Sequence, residues 1–520
     1  MNESVLTIDI GTQSVRTLVF DVHGNLIDFA RVIYSPAYFS PESGWAEQHP
    51  EYYWKCVAES SQKLFNQGKV KKESIVSVSL TTQRGSMVNL DADHNPLRPA
   101  ILWLDQRRST EWPKVGSAWQ LLFHLTGLNK TLHYLQAEAE ANWIKQFQPE
   151  IWDKTSYYLM ISGYINFKLT DSIVDSIGCQ VGYLPFDYKK QNWSKKSHWK
   201  RKAIPVTEEM LPELVQPGEQ LGTISKEAAE NTGIPEGLPV IAGATDKACE
   251  VLGTGCLKPN QGSIGYGTTA TINVNSKKYL EPIKLIPPYP SAAPGEYNLE
   301  VQTYRGFWMV SWFKEQFANE ELRLASNLGV PAEEILDDLV ADIPPGSMGL
   351  VLQPFWSPGI RYPRPDAKGA VIGFGGVHTK GHFYRALLEG LAYSLREGRE
   401  RIEKRTKTPM TELIVCGGGS NSDKMMQITA DVFHLPAIRP SVSEASGLGA
   451  AILAAVGAGL HPDIETAVQK MTRNSQVFEP NHENVKIYDD LYHHVYKKMY
   501  KKLTPLYESI QKITGYPAHL

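Results

Sequence analysis

A strand–turn–strand pattern near the start of the chain, repeated past its middle, most strongly constrains the fold. Val5 to Asp9 is a short apolar strand ending in an acid, Gly11-Thr12-Gln13 is a turn, and Val15 to Phe20 is a second strand. From Ser263 to Val274 the same order of strand, Gly-Thr turn and strand returns. Two such hairpins, each followed by sequence with helical spacing, predict an α/β protein with two halves of similar build.

Apolar runs and helical periodicity predict further elements in both halves. The predicted strands are Leu26 to Tyr34, Ile75 to Leu80, Pro239 to Gly243 and Glu412 to Cys416, and the predicted helices are Pro50 to Phe65, Tyr134 to Gln148, Asp423 to Phe433 and Ser446 to Leu460. We place the boundary so that residues 1–248 form an N-terminal domain and residues 249–520 a C-terminal domain with a helical tail. A catalytic cleft is expected between them.

Charge and cysteine usage exclude several classes of protein. The chain of 520 residues has 53 Lys and Arg and 56 Asp and Glu, so it has no excess of basic residues with which to bind a nucleic-acid backbone. The start of the chain lacks a secretory signal, and the small-apolar run from Ala450 to Leu460 is too short to span a bilayer. Five scattered cysteines without a CxxC pair are typical of a reduced cytoplasmic protein.

Two familiar nucleotide-binding motifs are absent. The nearest match to a Walker loop begins at Gly376, but His382 stands where that motif requires lysine. The letters of a Rossmann fingerprint occur at Gly265 to Ala270, but Thr271 to Val274 continues as a strand where a helix is required.

Three glycine-rich turns remain as candidate phosphate-binding loops: Gly11 to Ser14, Gly265 to Thr269 and Gly417 to Ser420. Converging backbone N–H groups in such turns can form anion-binding concavities, although each turn alone is also typical of an ordinary hairpin. Asp9 precedes the first turn, where a carboxylate can help to hold Mg²⁺. Asp246 ends a strand near the domain boundary, so it is either a helix N-cap or a general base.

Taken in order, these and neighbouring segments resemble the FGGY family of carbohydrate kinases, of the actin-like, ribonuclease-H-like superfamily. The segments that carry the resemblance are Asp9 to Arg16, Gly44 to Gln48, Trp103 to Arg108, Gly243 to Asp246, Arg385 to Tyr393, Gly417 to Gly419 and Glu444 to Ala451. The resemblance implies two ribonuclease-H-like domains, and an enzyme that transfers the γ-phosphate of ATP, with Mg²⁺, to a sugar hydroxyl. It also implies a small-carbohydrate substrate and the possibility of a homodimer.

The resemblance assigns roles to particular residues. Asp246 matches the catalytic base and Asp9 the residue near Mg²⁺. The residues implied in nucleotide binding are Asp9, Gly11, Thr12, Gln13, Ser14, Arg16, Gly267, Thr268, Gly418 and Ser422. Those implied in sugar binding are Gln83, Arg84, Trp103, Asp105 and Asp246. The helix around Glu389 is expected to support the second domain without touching substrate.

The substrate is the least constrained property. Glycerol kinases carry Glu after the arginine that aligns with Arg84, but here Gly85 follows it, which disfavours glycerol. Xylulokinases read Gln-Met-His-Gly in that segment, which this chain also lacks. The family's aromatic–Lys segment after Thr126 to Leu128 is altered as well, since Glu140 stands near the usual lysine. A ketopentose such as xylulose, or a related polyol, is the favoured substrate. The alternatives are glycerol, another sugar or sugar acid, a non-catalytic sugar or nucleotide sensor, and an actin-like ATPase with a protein partner.

Overall fold

The hairpin at the start of the chain forms as predicted. In the computed structural model, which describes residues 3–330, 332–357, 359, 362–364 and 366–516, strand Ser4–Ile10 pairs antiparallel with strand Ser14–Asp21. The register places Asp9 opposite Arg16, and the Gly11 N–H donates to the Ser14 carbonyl oxygen at 3.0 Å. The predicted turn therefore brings an acid and a base side by side at the end of the first strand.

The chain divides into two compact units, each built from several separate segments. The first comprises Met1–Gly255, Tyr289–Tyr297 and Glu444–Thr472, and the second comprises Cys256–Pro288, Asn298–Ser443 and Arg473–Leu520. The predicted boundary after residue 248 lies close to the first change of unit, after Gly255. The return of the two later segments to the first unit was not predicted.

The first unit is built on a six-stranded sheet whose neighbouring strands, in order, are Gln220–Thr223, Pro239–Ile241, Ile75–Thr82, Ser4–Ile10, Ser14–Asp21 and Leu26–Ile33. Smaller sheets join Glu47–Gln48, Ala100–Ile101, Met87–Leu90 and Tyr157–Met160; Val174–Ser176 and Glu213–Val215; and Phe186–Asp187 and Asn192–Trp193. Its helices are Pro50–Asn66, Ser117–Leu125, Asn129–Glu138, Glu140–Phe147, Pro149–Lys154, Ile161–Thr170, Trp199–Ala203, Lys226–Thr232, Asp246–Gly253, Ala445–Gly457 and Ile464–Met471.

The second unit repeats this plan. Six strands of its main sheet lie in the order Tyr297–Thr303, Ala270–Ser276, Gln261–Tyr266, Glu412–Cys416, Ala437–Pro440 and Asn474–Phe478, and Val351–Gln353 pairs with Ala370–Ile372. Its helices are Trp308–Phe317, Asn319–Leu328, Ala332–Leu339, Lys380–Thr406, Asp423–Phe433, His482–Leu491 and Lys497–Thr514. The prediction of an α/β protein with two similar halves is confirmed.

One predicted helix is wrong in its extent. The run from Tyr134 to Gln148 is divided between helices Asn129–Glu138 and Glu140–Phe147, with the backbone extended at Ala139. No glycine or proline marks this break in the sequence. The Ala137 carbonyl oxygen accepts from the Ser109 N–H at 3.0 Å, so this hydrogen bond from another part of the chain replaces helical bonding there.

Two close-packed helices carry Asp246 in the first unit. Helix Asp246–Gly253 lies against helix Ala445–Gly457, and glycines occupy the points of closest approach. A Cβ on Gly449 would lie 1.9 Å from the Cys249 carbonyl oxygen, and one on Gly253 would lie 2.0 Å from that of Ala445. Backbones can approach this closely only where no side chain intervenes, so this pair of helices depends on the Ala/Gly-rich sequence.

Glu389 is held by hydrogen bonds within the second unit. On helix Lys380–Thr406 its carboxylate is buried and accepts hydrogen bonds from the Gly346 N–H, Ser347, Arg385 and Tyr488 at 2.8 to 3.0 Å. A carboxylate with all these donors joins the helix to the loop and helix beside it within the second unit. In the described part of the chain, no helix is sufficiently long and apolar to cross a membrane.

Candidate active site

Asp9 and Arg16 form the first part of the candidate site. The Arg16 Nη1 atom lies 3.1 Å from Asp9 Oδ2 and 3.0 Å from Glu444 Oε2, so one guanidinium links two carboxylates. Burial raises the pKa of Asp9 to about 6; Arg16 opposes this shift, and the negative charges of Asp246 and Glu444 add to it. Carboxylates therefore outnumber the single guanidinium at the end of the first strand, and their mutual repulsion helps to raise the pKa of Asp9.

Thr12 connects the first turn to residues predicted to bind sugar. Its hydroxyl donates to Gln83 Oε1 at 3.0 Å and accepts from Trp103 Nε1 at 3.0 Å. Gln83 is buried and also donates to the Tyr53 hydroxyl at 3.1 Å, whereas Trp103 is 41% exposed. The structure thus brings together one predicted phosphate-binding residue and two predicted sugar-binding residues in the first unit.

The other residues of the first turn are placed differently. The Gln13 side chain is exposed, and its carbonyl oxygen accepts from the Tyr34 N–H at 3.0 Å. Ser14 already belongs to the second strand, where its hydroxyl accepts from Arg31 Nε at 3.0 Å. The loop between the two strands therefore consists of Gly11, Thr12 and Gln13.

Asp246 is the first residue of its helix, and its carboxylate does not cap that helix. Thr245 occupies the N-cap position, and Asp246 Oδ1 accepts a hydrogen bond from the adjacent Lys247 N–H at 2.8 Å. Burial raises the pKa of Asp246, while the charges of Lys247 and Arg84 lower it. A half-buried carboxylate with a raised pKa at the start of a helix has the properties of a general base.

Arg84 follows the strand Ile75–Thr82 and lies near Asp246. Its guanidinium carbon is 5.0 Å from the centre of the Tyr289 ring, a cation–π contact. Tyr289 belongs to a segment that returns to the first unit from later in the chain. No signal in the sequence marks Tyr289, because its partners Arg84 and Tyr188 are distant along the chain.

Asp105 does not have the surroundings predicted for a sugar ligand. Its side chain is 3% exposed, Oδ2 accepts from the Ala46 N–H at 2.6 Å and Arg107 Nη2 at 2.7 Å, and Oδ1 accepts from Arg107 Nε at 2.8 Å. Arg107 also stacks on Trp45, with 3.8 Å to the ring centre. Both carboxylate oxygens are thus engaged by protein groups, which argues against the predicted role of Asp105 as a hydroxyl acceptor.

The remaining predicted nucleotide residues lie in the second unit. Thr268 is exposed in the turn after strand Gln261–Tyr266, and the Gly267 carbonyl oxygen accepts from the Phe307 N–H at 2.9 Å. Gly418 borders open space, since a Cβ there would meet no atom within 4 Å. These two turns leave room for a ligand at the ends of neighbouring parallel strands.

Ser422 serves a structural purpose that was not predicted. It is the N-cap of helix Asp423–Phe433, accepts from the Met425 N–H at 3.0 Å and donates to the Asp337 carboxylate at 2.7 Å. The side chain is buried. Its hydroxyl is therefore committed to capping and to Asp337, and only its backbone remains for the predicted contact with adenosine.

Glu444 is the acidic residue that the sequence analysis did not select. In the sequence it is only the first residue of the segment Glu444 to Ala451 that carries the family resemblance, yet its carboxylate pairs with Arg16 at 3.0 Å. A carboxylate immediately before a helix N-terminus is a weak signal, because it is also typical of ordinary helix starts. Only the return of Glu444–Thr472 to the first unit places this charge beside Asp9.

We expect the Asp9 carboxyl to make the stability of the fold depend on pH. Because its pKa in the fold, about 6, exceeds the ordinary 3.8, the folded chain binds this proton more tightly than the unfolded chain. Wild-type stability should therefore fall relative to Asp9→Asn as pH rises from about 4 to about 6, by about 3 kcal/mol at most. Urea unfolding of both proteins across this range measures the difference.

An Asp9→Asn profile parallel to that of wild type would contradict the buried, raised-pKa state of Asp9.

Comparison with known proteins assigns the chain to a family. The FGGY family of carbohydrate kinases matches with its N-terminal domain over residues 4–253 and its C-terminal domain over residues 262–458. Xylulose kinase of Lactococcus lactis subsp. lactis (strain IL1403) is 30% identical over 512 residues, covering 96% of this chain and 97% of that protein. Gluconokinase of Bacillus licheniformis is 26% identical over 526 residues, covering 98% and 96%.

A solved structure supports the same assignment at the level of the fold. The ligand-bound xylulose kinase from Lactobacillus acidophilus superposes with a TM-score of 0.82 at 21% identity, covering 98% of this chain and 99% of that one. Both sheet-rich units thus have the actin-like ATPase architecture that the resemblance predicted. The chain belongs to the FGGY family of carbohydrate kinases, enzymes that use ATP to phosphorylate sugars.

Proposed function

We propose that this enzyme transfers the γ-phosphate of ATP to a hydroxyl of a ketopentose such as xylulose, or of a related polyol, with Asp246 as the general base. The observation that carries the proposal is the Asp246 carboxylate, half-buried at the start of its helix and near Arg84. The 30% identity to a xylulose kinase over nearly the whole chain supports the choice of sugar.

In the proposed reaction Asp246 accepts the proton of the sugar hydroxyl as that oxygen bonds to the γ-phosphorus and the bond to ADP breaks. Phosphoryl transfer has a loose transition state, so alignment and charge neutralisation account for most of the catalysis. Burial keeps the proton affinity of Asp246 above that of an exposed aspartate, which suits it to this transfer. Arg84 donates to sugar oxygens beside it, since a guanidinium has five N–H donors and no acceptor.

The first turn and Asp9 are proposed to hold the phosphates of MgATP. Mg²⁺ typically binds one or two carboxylates, with waters and phosphate oxygens completing its shell. The single buried Asp9 carboxylate fits this pattern, because the nearby charges of Asp246 and Glu444 favour a cation. The ion would supply charge neutralisation for the transferred phosphate. Within the described residues, no cluster of three or more His, Cys, Asp or Glu forms a metal site made of protein groups alone.

The two open turns of the second unit are proposed to bind the rest of the nucleotide. Gly267 and Thr268 present backbone and hydroxyl groups to a phosphate, and Gly418 leaves the space that an adenosine needs. We further propose a cytoplasmic location, in keeping with five buried cysteines that are not joined in disulfides within the described residues.

Gly85 supports a substrate longer than glycerol. Its φ of +65° places it in the left-handed region, and a Cβ added there would lie 3.4 Å from the Trp103 Cβ. A glutamate in this position would fill the space beside Arg84 and Trp103. A gluconate-type sugar acid is the second candidate, since a relative named gluconokinase is 26% identical and Arg84 suits a carboxylate.

A panel of acceptors tests the proposed function. Release of ADP is measured with xylulose, ribulose, gluconate, glycerol and no acceptor, at fixed MgATP. The proposal requires the highest kcat/KM for a ketopentose or a five-carbon polyol. A higher value for glycerol than for every pentose and hexose derivative would overturn it, and a higher value for gluconate would favour the second candidate.

The variant Gly85→Glu should lower kcat/KM for the preferred longer substrate by about tenfold or more, because the new side chain occupies its space. A site that is built to hydrogen-bond its substrate can lose up to about 10⁴-fold in kcat/KM when those hydrogen bonds are not formed. The same kinetic assay with the preferred sugar and with glycerol measures the change.

Gly68→Glu is the matched control, since Gly68 has a φ of +73° and no atom within 4 Å of an added Cβ. It carries the same backbone strain outside the pocket and should retain wild-type kcat/KM. Equal losses in both variants would show that strain, and not the pocket, explains the effect of Gly85→Glu.

A further inference from the structure

The segment Tyr289–Tyr297 belongs to the first unit, although the residues before and after it belong to the second. Within the first unit, Gln191 Nε2 donates to the Glu296 carbonyl oxygen at 2.7 Å, and the Tyr297 hydroxyl donates to the Lys189 carbonyl oxygen at 2.8 Å. We call this segment the strap. These anchors hold the strap against the hairpin formed by Phe186–Asp187 and Asn192–Trp193.

The first residue of the strap belongs to a layered set of cations and aromatic rings. The Lys200 Nζ atom lies 4.6 Å from the centre of the Tyr188 ring, the Tyr188 and Tyr289 rings meet edge to face with centroids 6.0 Å apart, and Arg84 lies 5.0 Å from the centre of Tyr289. Tyr188 is buried, and its hydroxyl bonds the backbone of Gly182. The stack thus contains a fixed residue, Tyr188, and ends on Arg84.

This stack restricts the position of Arg84. An arginine side chain has several rotatable bonds, and a planar guanidinium binds hydroxyl or carboxylate oxygens well only when its N–H groups are correctly aimed. The cation–π attraction of the Tyr289 ring favours one position of the guanidinium over the others that the flexible side chain could adopt. Arg84 is also close enough to Asp246 to lower the pKa of that carboxyl.

We propose that Tyr289 is a specificity-determining positioning residue, whose ring holds the Arg84 guanidinium in the orientation that binds the sugar beside Asp246. This inference rests on the proposed function only in assigning Arg84 to the sugar pocket. Tyr289 acts through Arg84, so the ring is required and the phenol hydroxyl is not. Loss of the Tyr289 ring should therefore weaken the binding of the sugar and not that of the nucleotide.

The test is a double-mutant cycle between Tyr289→Leu and Arg84→Met. Tyr289→Leu should raise KM for the sugar by about 3- to 30-fold, the range expected for a cation–π contact, with less than a twofold change in KM for ATP. Tyr289→Phe should restore the wild-type value. In the Arg84→Met background, Tyr289→Leu should have no further effect, because the partner is already absent.

A second readout is the pH dependence of kcat/KM for the sugar. Since Arg84 lowers the pKa of Asp246, misplacing the guanidinium should move the acid limb of this profile to higher pH in Tyr289→Leu and not in Tyr289→Phe. Tyr516→Leu is the control: it removes a different cation–π tyrosine, which is exposed and lies 4.1 Å from Lys368, and it should change neither quantity.

The cycle uses whichever sugar gives the highest kcat/KM in the acceptor panel, so an incorrect choice of ketopentose leaves it intact. Calorimetric binding of that sugar to the nucleotide-free enzyme repeats the cycle without turnover, and thermal unfolding checks each fold. Additive effects of the two substitutions, or an equal rise in KM for sugar and ATP, would overturn the role of Tyr289.

Discussion

Asp246→Asn is expected to lower kcat by about 10²–10⁴-fold while leaving the binding of ATP and sugar nearly intact. General-base catalysis contributes about this much, which corresponds to a rise of roughly 3–5.5 kcal/mol in the activation barrier. Asparagine keeps the size of the side chain and can still accept from the Lys247 N–H, but it cannot take up the sugar proton. Steady-state kinetics with the preferred sugar, together with binding measurements for both substrates, test this expectation.

Glu250→Gln is the matched control, since Glu250 is on the same helix and pairs with Lys247 at 2.9 Å. It removes a carboxylate of the same helix without removing the proposed base, so its effect on kcat should be far smaller. An Asp246→Asn enzyme with unchanged kcat and a confirmed fold would reduce Asp246 to a structural residue of the helix start.

Gly449→Ala is expected to lower the stability of the chain by about 3 kcal/mol or more. The new Cβ would lie 1.9 Å from the Cys249 carbonyl oxygen, so the two helices must separate. Overpacking usually costs about 1–3 kcal/mol, and here the obstacle is backbone that cannot rotate away. The midpoint of thermal unfolding should fall by roughly 3–5 °C or more, and kcat should fall because helix Asp246–Gly253 carries the proposed base.

Gly376→Ala is the control for this substitution, because an added Cβ at Gly376 meets no atom within 4 Å. Its unfolding midpoint should match that of wild type, as measured by calorimetry and urea titration. A Gly449→Ala protein as stable as Gly376→Ala would mean that the helix pair tolerates an extra methyl group, contrary to the close approach described above.

The sequence by itself determined the elements whose signals are local. The first strand, its Gly-Thr turn and the second strand were predicted to within one residue, because alternation, β-branched residues and turn residues act over a few positions. Strand Glu412–Cys416 and helix Asp423–Phe433 were predicted with their observed ends. The acids at Asp9 and Asp246 could also be located, since Asp9 stands at the end of an apolar strand and Asp246 shortly after one.

Tertiary structure alone decided which charges meet. The sequence made Asp105 a candidate sugar ligand, but in the folded chain its carboxylate binds Arg107 and the Ala46 N–H. Glu444 and Tyr289 gained their positions beside Arg16 and Arg84 only because later segments return to the first unit. The physical reason is that local patterns specify backbone conformation, whereas a side chain's partners depend on packing between segments far apart in the chain, which no short stretch of sequence encodes.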